Sequence, residues 1–285
     1  MRERTDALRR LLSEPGLIVL PGCHDAVSAR IAERAGFPLA FMSGFGVAAA
    51  RLGLPDTGLI SYGEMLDQGR SICQAVSIPV IGDGDTGYGN AVNVKRTVEG
   101  FANAGFACVM IEDQTLPKRC GYAARVGVVG REEALARLRA AVDAREEGAD
   151  ILVLGRTDAA TTLGFEEGLW RAEAYQDLGC DAVYLEGAET PQELGTFAKR
   201  VSLPKMYVTV EGIPEQRVTA RQLDDLGFKL MLWAVTLLNV SVRAMEEACA
   251  TMRAGSLPER IVAWDHLNAV AGLDDYYREE QRYRT

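Results

Sequence analysis

Eight short apolar runs recur along the chain, each followed by a polar or glycine-rich break and then a stretch with helical spacing. The runs are LIVLPG (17–22), LAFMSG (39–44), PVIGDGD (79–85), CVMIEDQ (108–114), ILVLGRTDA (151–159), AVYLEG (182–187), KMYVTVE (205–211) and KLMLW (229–233). Short apolar, often β-branched runs of this kind are expected of parallel strands buried on both faces. Between them AVSARIAERAG, YGEMLDQGRSICQAV, NAVNVKRTVEGFANAG and REEALARLRAAVDAREEGA carry helical periodicity, and several helical stretches end in Ala-Gly, Leu-Gly or Glu-Gly. Such endings predict glycine C-caps just before the next strand.

Eight strand–helix units over about 230 residues predict an α/β fold of the (β/α)8 TIM-barrel type. A doubly wound sheet is the competing architecture, but no GxGxxG follows the first run. No linker divides the chain, so residues 1–285 read as a single barrel domain. Residues 234–285 form a helical C-terminal extension, with an amphipathic LLNVSVRAMEEACATMRAG and a charged, Tyr-rich DDYYREEQRYRT. Helical material beyond a closed barrel packs on a neighbour or another subunit; the alternative is a solvated extension.

Composition narrows the function classes. The 285 residues hold 31 basic and 40 acidic side chains, a formal charge of −9, with 48% hydrophobic and 25% charged residues. These shares are those of an ordinary globular protein. No apolar run approaches the length of about 18 residues that a spanning helix needs. The opening MRERTDALRRLLSEPG reads as neither a secretory signal nor a lipidation motif. The acidic balance argues against nucleic acid, which needs clustered Lys and Arg. The six cysteines are scattered without zinc-like spacing. They read as free thiols in a reducing cytoplasm. With two histidines only, His24 and His266, the chemistry falls to carboxylates, a metal, Cys, Tyr or Lys.

The active site of such a barrel lies at the carboxyl ends of its strands. Those ends carry Ser43-Gly44, Asp83 and Asp85, Glu112-Asp113, Arg156 with Asp158, Glu186 and Glu211. Carboxylates gathered in a water-poor barrel mouth need a shared cation, and hard oxygen donors favour Mg2+ or Mn2+ over zinc. The bland reading of each is a helix N-cap. In GDGDTGYGN (82–90) the glycines let the chain turn sharply, and Asp83 and Asp85 lie on one side of an extended segment. LPKRCGYAARVGVVG (116–130) is long for a loop after a strand and reads as a lid. Its Lys118 and Arg119 flank Cys120, which lowers a thiol pKa and suits a proton donor or nucleophile. The other five cysteines sit in strand-end or helical apolar contexts and read as core.

In order along the chain, PGCHDAVSARIAERAGF, FMSGFGVAAARLGLPDTG, GDGDTGYGN, IEDQTLPKRCG, GRTDA and YLEGAE resemble the isocitrate lyase/phosphoenolpyruvate mutase superfamily, in particular its short methylisocitrate lyase-like members. The resemblance covers most of the chain. It implies a (β/α)8 barrel whose eighth helix is exchanged between subunits, in a homotetramer built from dimers. It implies Asp85 as direct Mg2+ ligand, with Asp56, Asp83 and Glu112 holding the metal or its waters. Ser43, Gly44 and the backbone of Phe45 would bind a 2-oxo acid carboxylate. Arg156 would meet substrate or enolate charge, Glu186 would orient it, and Cys120, with Lys118 beside it, would be the catalytic acid/base of the loop.

The chain departs from the family pattern at three places. Tyr122 follows Cys120-Gly121 where the lyases have His, Val208-Thr209-Val210-Glu211 replaces Asn-x-x-Glu, and Trp233-Ala234 replaces a Tyr-Pro-type pair. Tyr122, Glu211 and Trp233 are therefore expected around the distal end of the substrate, in a less polar pocket. The implied activity is Mg2+-dependent carbon–carbon cleavage of a small or apolar substituted malate-type acid to pyruvate or glyoxylate plus a second acid. The alternatives are phosphonopyruvate or oxaloacetate chemistry (mutase, hydrolase or decarboxylase), and a barrel that binds a metabolite without turning it over.

Overall fold

The computed structural model describes residues 2–120, 126–210 and 218–284. All eight apolar runs form strands: β1 (Ile18–Cys23), β2 (Ala40–Met42), β3 (Val80–Asp83), β4 (Cys108–Glu112), β5 (Leu152–Thr157), β6 (Ala182–Leu185), β7 (Lys205–Thr209) and β8 (Leu230–Trp233). They pair in parallel in sequence order and close into a barrel. At the closure Ile18 stands opposite Leu230 and Pro21 opposite Trp233. The expected (β/α)8 architecture is the one observed.

Helix α1 (Arg2–Ser13) comes first, and α2 (Ala26–Arg34) follows β1. After β2 come the short α3 (Gly44–Val47), a π-helical turn at Ala48–Leu52, and α4 (Tyr62–Ala75). The next are α5 (Ala91–Ala104), α6 (Arg131–Glu146), α7 (Ala159–Leu163), α8 (Phe165–Asp177), α9 (Pro191–Arg200) and α10 (Ala220–Asp225). Beyond β8 lie α11 (Thr236–Arg253), α12 (Trp264–Ala271) and α13 (Leu273–Arg282). The glycine signals act as expected: Gly105, at φ +101°, caps α5 in the left-handed region, which costs glycine little. No helix among the described residues is long and apolar enough to cross a membrane.

The strands are buried on both faces, and their two-residue alternation sorts the core into two layers. Leu20, Phe41, Ile81, Met110, Leu154, Tyr184, Met206 and Leu232 fill the barrel. Val109, Ile111, Val153, Val183, Tyr207 and Met231 pack outward against Phe101, Leu138, Tyr175 and Phe197 of the helices. Helix α1 seals the amino-terminal end: Leu8 is fully buried in the inner layer. The Lys229 ammonium donates to the carbonyls of Glu14 and Gly16 just beyond that helix, at 2.6 and 2.8 Å. The opposite end stays open.

Helices α11 and α13 differ from those that cover the barrel, for neither has a buried residue. In α11, Val240, Val242, Met245 and Met252 are exposed. Val27 and Ile31 of α2 are exposed as well.

Candidate active site

The inward register of each strand, carried one step past its last core residue, delivers the site. Two positions beyond Phe41, Ile81, Met110, Leu154, Tyr184, Met206, Val208 and Leu232 stand Ser43, Asp83, Glu112, Arg156, Glu186, Val208, Val210 and Ala234. All of these line one cavity of about 230 Å3 at the open end, joined by Phe45, Asp56, Lys118, Arg119, Cys120 and Val235. Trp233 has the opposite parity. It faces away from the cavity, half exposed, and the expectation that it lines the substrate pocket is corrected: Ala234 and Val235 do so instead.

One pole of the cavity is acidic. Asp56, Asp83, Asp85 and Glu112 are all buried. Asp83 ends β3, whereas Asp85 lies in a turn at φ +48° and not on the extended segment expected of it. The turn is held by the Asp85 N–H donating to Asp83 Oδ1 at 3.2 Å. Gly44 is required here, because a Cβ would come 2.6 Å from Asp83 Oδ2. Its N–H donates to that oxygen at 3.1 Å, so this backbone group of the expected carboxylate-binding trio is engaged by Asp83. The Ser43 hydroxyl caps α3 by accepting from the Gly46 N–H at 3.2 Å.

The cation among these carboxylates is Lys118. Its buried ammonium lies 2.8 Å from Asp56 Oδ1 and also pairs with Asp85. Among the described residues no three His, Cys, Asp or Glu side chains are arranged as a metal-binding group; the lysine stands between them. Burial alone would lower the Lys118 pKa, but Asp85, Glu112, Asp83 and Asp56 together hold it well above the usual lysine range. The Lys118 charge is directed at these carboxylates. Burial, reinforced by Asp85, pushes Asp83 up to about 6. Burial drives Glu112 well above the carboxylate range, and its Oε1 has no hydrogen-bond partner among the described residues.

A second cation, Arg156, closes the other side of this pole. Asp158 grips it in a fork, Nε to Oδ2 at 2.9 Å and Nη2 to Oδ1 at 2.7 Å. Glu186 Oε2 lies 3.4 Å from Nη2, and Glu112 Oε2 lies 3.6 Å from Nε. The Tyr184 hydroxyl donates to Glu186 at 2.5 Å, while the guanidinium sits 5.2 Å from the Tyr184 ring centroid. Beneath, Asp113 accepts from Thr157, Arg171 and Tyr175 and from the Asp158 N–H. The other pole is apolar: Met206, Val208, Val210, Leu232, Ala234 and Val235. Cys120 lines the same cavity.

The structure thus brings together Ser43, Phe45, Asp56, Asp83, Asp85, Glu112, Lys118, Cys120, Arg156 and Glu186, with Gly44 behind them. Gly121, Tyr122 and Glu211 lie outside the described residues. Sequence reasoning missed Tyr184 and the bridging role of Gln114. Tyr184 was legible, since it shares the parity of Glu186 two residues on.

A family model described as phosphoenolpyruvate phosphomutase matches residues 8–253. The chain belongs to this family. The family groups with the isocitrate lyases that the motifs resemble. The 2,3-dimethylmalate lyase of Eubacterium barkeri is 34% identical, over 98% of this chain and 97% of its own. A structure of oxaloacetate acetylhydrolase bound to 3,3-difluorooxalacetate superposes with a TM-score of 0.93 at 34% identity, covering 98% of this chain and 97% of that one. A phosphonopyruvate hydrolase bound to oxalate and Mg2+ gives 0.87 at 30% identity, covering 98% and 99%. Relatives named as lyases over their full lengths make this family member a carbon–carbon lyase.

Replacing Lys118 by Met leaves Asp56 and Asp85 buried without their cation. The expected cost is about 3–5 kcal/mol, read by urea denaturation in EDTA-containing buffer. An unchanged midpoint would show that the ammonium does not neutralise the pair.

Proposed function

We propose that the protein cleaves a substituted malate-type 2-hydroxy acid to a 2-oxo acid, pyruvate or glyoxylate, plus a second carboxylic acid, with Mg2+ as cofactor. The observation that supports this reading is the division of one cavity into a charged pole and an apolar wall. A 2-hydroxy acid end suits Arg156, Ser43 and the carboxylate cluster. An alkyl-bearing end suits the apolar side chains of Met206, Val208, Val210 and Leu232. The 34% identical relative is named for 2,3-dimethylmalate, an acid of that shape.

The residues fit a divalent cation. Among the described residues, Lys118 and Arg156 are the cations that pair with the cluster of six carboxylates (Asp56, Asp83, Asp85, Glu112, Asp158 and Glu186). The unpartnered Glu112 Oε1 is a further donor. Asp85, with Asp56, Asp83 and Glu112, would hold Mg2+, and the same hard oxygens would accept Mn2+. When bound, the ion would supply positive charge that lowers the pKa of a substrate hydroxyl.

The chain's own residues account for the rest. Arg156, fixed by Asp158 and Glu186, stabilises charge on the substrate carboxylate and on the enolate left when the carbon–carbon bond breaks. Ser43, Gly44 and Phe45 shape the end that receives the 2-oxo acid carboxylate. The Cys120 thiol donates a proton to the enolate carbon. Its loop, carrying Lys118 and by sequence position Gly121 and Tyr122, excludes water from that carbon. Glu211, which follows β7 in the sequence, is assigned to substrate binding.

The exposed apolar face of α11, together with Val27 and Ile31, suits a second copy of this chain. We assign residues 234–285 to subunit contacts in a homotetramer of helix-exchanged dimers. Light scattering is expected to give four times the chain mass, and a monomer would refute the assignment.

The activity is tested by coupled reduction of released 2-oxo acid over 2- and 3-alkyl malates, methylisocitrate, oxaloacetate and phosphonopyruvate. Alkyl malates are expected to turn over and the tricarboxylate to be poor. Cys120→Ser is expected to lower kcat by about 10²–10⁴-fold. Turnover confined to oxaloacetate or phosphonopyruvate and insensitive to Cys120→Ser would select the hydrolase or mutase reading instead.

Cation binding carries a proton linkage. A carboxylate must lose its proton to ligate, and Asp83 titrates near 6. Mg2+ affinity is therefore expected to fall by at least about tenfold per unit below that pH, and to keep rising above it because Glu112, held higher, must also lose its proton. Calorimetric titrations across pH 5–8 would show this, and a pH-independent affinity would remove Asp83 from the ligand set.

A further inference from the structure

The amide of Gln114 joins two parts of the site that no other described side chain connects in this way. Its Oε1 accepts from the backbone N–H of Arg119 at 2.8 Å, immediately before Cys120. Its Nε2 donates to Asp158 Oδ1 at 3.1 Å, the same oxygen that holds Arg156 Nη2 at 2.7 Å. Gln114 is itself 1% exposed and stands on a rigid base. Its carbonyl accepts from Arg137 Nη1 at 2.8 Å, and its backbone bridges Val128 where the loop returns. On either side Thr115 N–H donates to Gly127 at 2.8 Å and Val129 N–H to Asp113 at 2.9 Å.

The two partners fix the chemistry required at this position. A backbone N–H needs an acceptor and a carboxylate needs a donor, and a neutral amide supplies both from one planar group. A carboxylate of the same size would set like charge against Asp158, and an apolar side chain would leave the Arg119 N–H without this bond and Asp158 Oδ1 with one donor fewer. Lys118 also holds this segment, but through Asp56 and Asp85, the carboxylates assigned above to the cation. The Gln114 bond is independent of them.

We propose that Gln114 is a positioning residue that tethers the Cys120 loop to the Asp158–Arg156 clamp, so that the thiol and the guanidinium are placed relative to one another. Its effect on turnover rests on Cys120 being the proton donor, as proposed above; its effect on the loop does not.

The test uses Gln114→Met and Gln114→Leu, neither of which can accept from the Arg119 N–H, in a Cys249→Ser background, which removes the exposed thiol on α11. The rate of Cys120 alkylation by iodoacetamide is followed by peptide mass spectrometry, with thermal melts as control. Loss of a buried hydrogen bond to a charged partner is expected to speed alkylation by about tenfold or more. On alkyl malates kcat is expected to fall by about tenfold, with KM changed less than about threefold, because the loop acts at the protonation step. Alkylation within about twofold of the parent in a folded variant would overturn the tether. Should Gln114→Met fail to fold, Gln114→Leu, which likewise offers the Arg119 N–H no acceptor, decides in its place. Should wild-type protein turn over none of the acids, the proposed activity fails, while the alkylation rates still decide the tether.

Discussion

Buried negative charge at the open end of the barrel is the constraint to which the site is built. Strand parity drives Asp83, Glu112 and Glu186 inward, and Asp56, Asp85 and Asp158 are buried beside them. Carboxylates removed from water are costly unless paired. Lys118 and Arg156 are the cations that lie among them, each in contact with more than one acid. Burial, reinforced by Asp85, keeps Asp83 raised, and Glu112 Oε1 has no hydrogen-bond partner among the described residues. A site in this condition favours further positive charge, and it can hold an anionic substrate once that charge arrives.

The same requirement explains why the loop after β4 matters. Lys118, Arg119 and Cys120 are consecutive, yet each faces a different partner: the acidic cluster, the Gln114 amide and the cavity. Neutralising the carboxylates and delivering the thiol are therefore one structural event. The apolar wall opposite has no charge to balance, and its Met, Val and Leu side chains set the shape of what enters.

Much of the site was legible because it sits at strand ends. Asp83, Glu112, Arg156 and Glu186 could be named from the runs alone, since two-residue periodicity continues past the last core residue. Cys120 was marked by its loop, and Asp56 by family resemblance. What failed had a common origin. Trp233 was placed in the pocket by its position in the chain, but it is one residue out of the inward register. The pairing of Lys118 with Asp56 was not foreseen, because its long side chain reaches an aspartate 62 residues away. Gln114 gave no signal, because an amide has no charge or motif of its own and acquires meaning only from the two groups it joins.

The sequence by itself determined the eight strands, their order around the barrel and which carboxylates and thiol stand at the open end. Apolar runs, glycine caps and strand parity are local, so they are written within a few residues of where they act. Tertiary structure alone decided which cation answers the buried acids, which face Trp233 presents, and that Gln114 spans 44 residues to reach Asp158. Those outcomes depend on distances between segments far apart in the chain, and such distances exist only once the barrel has closed.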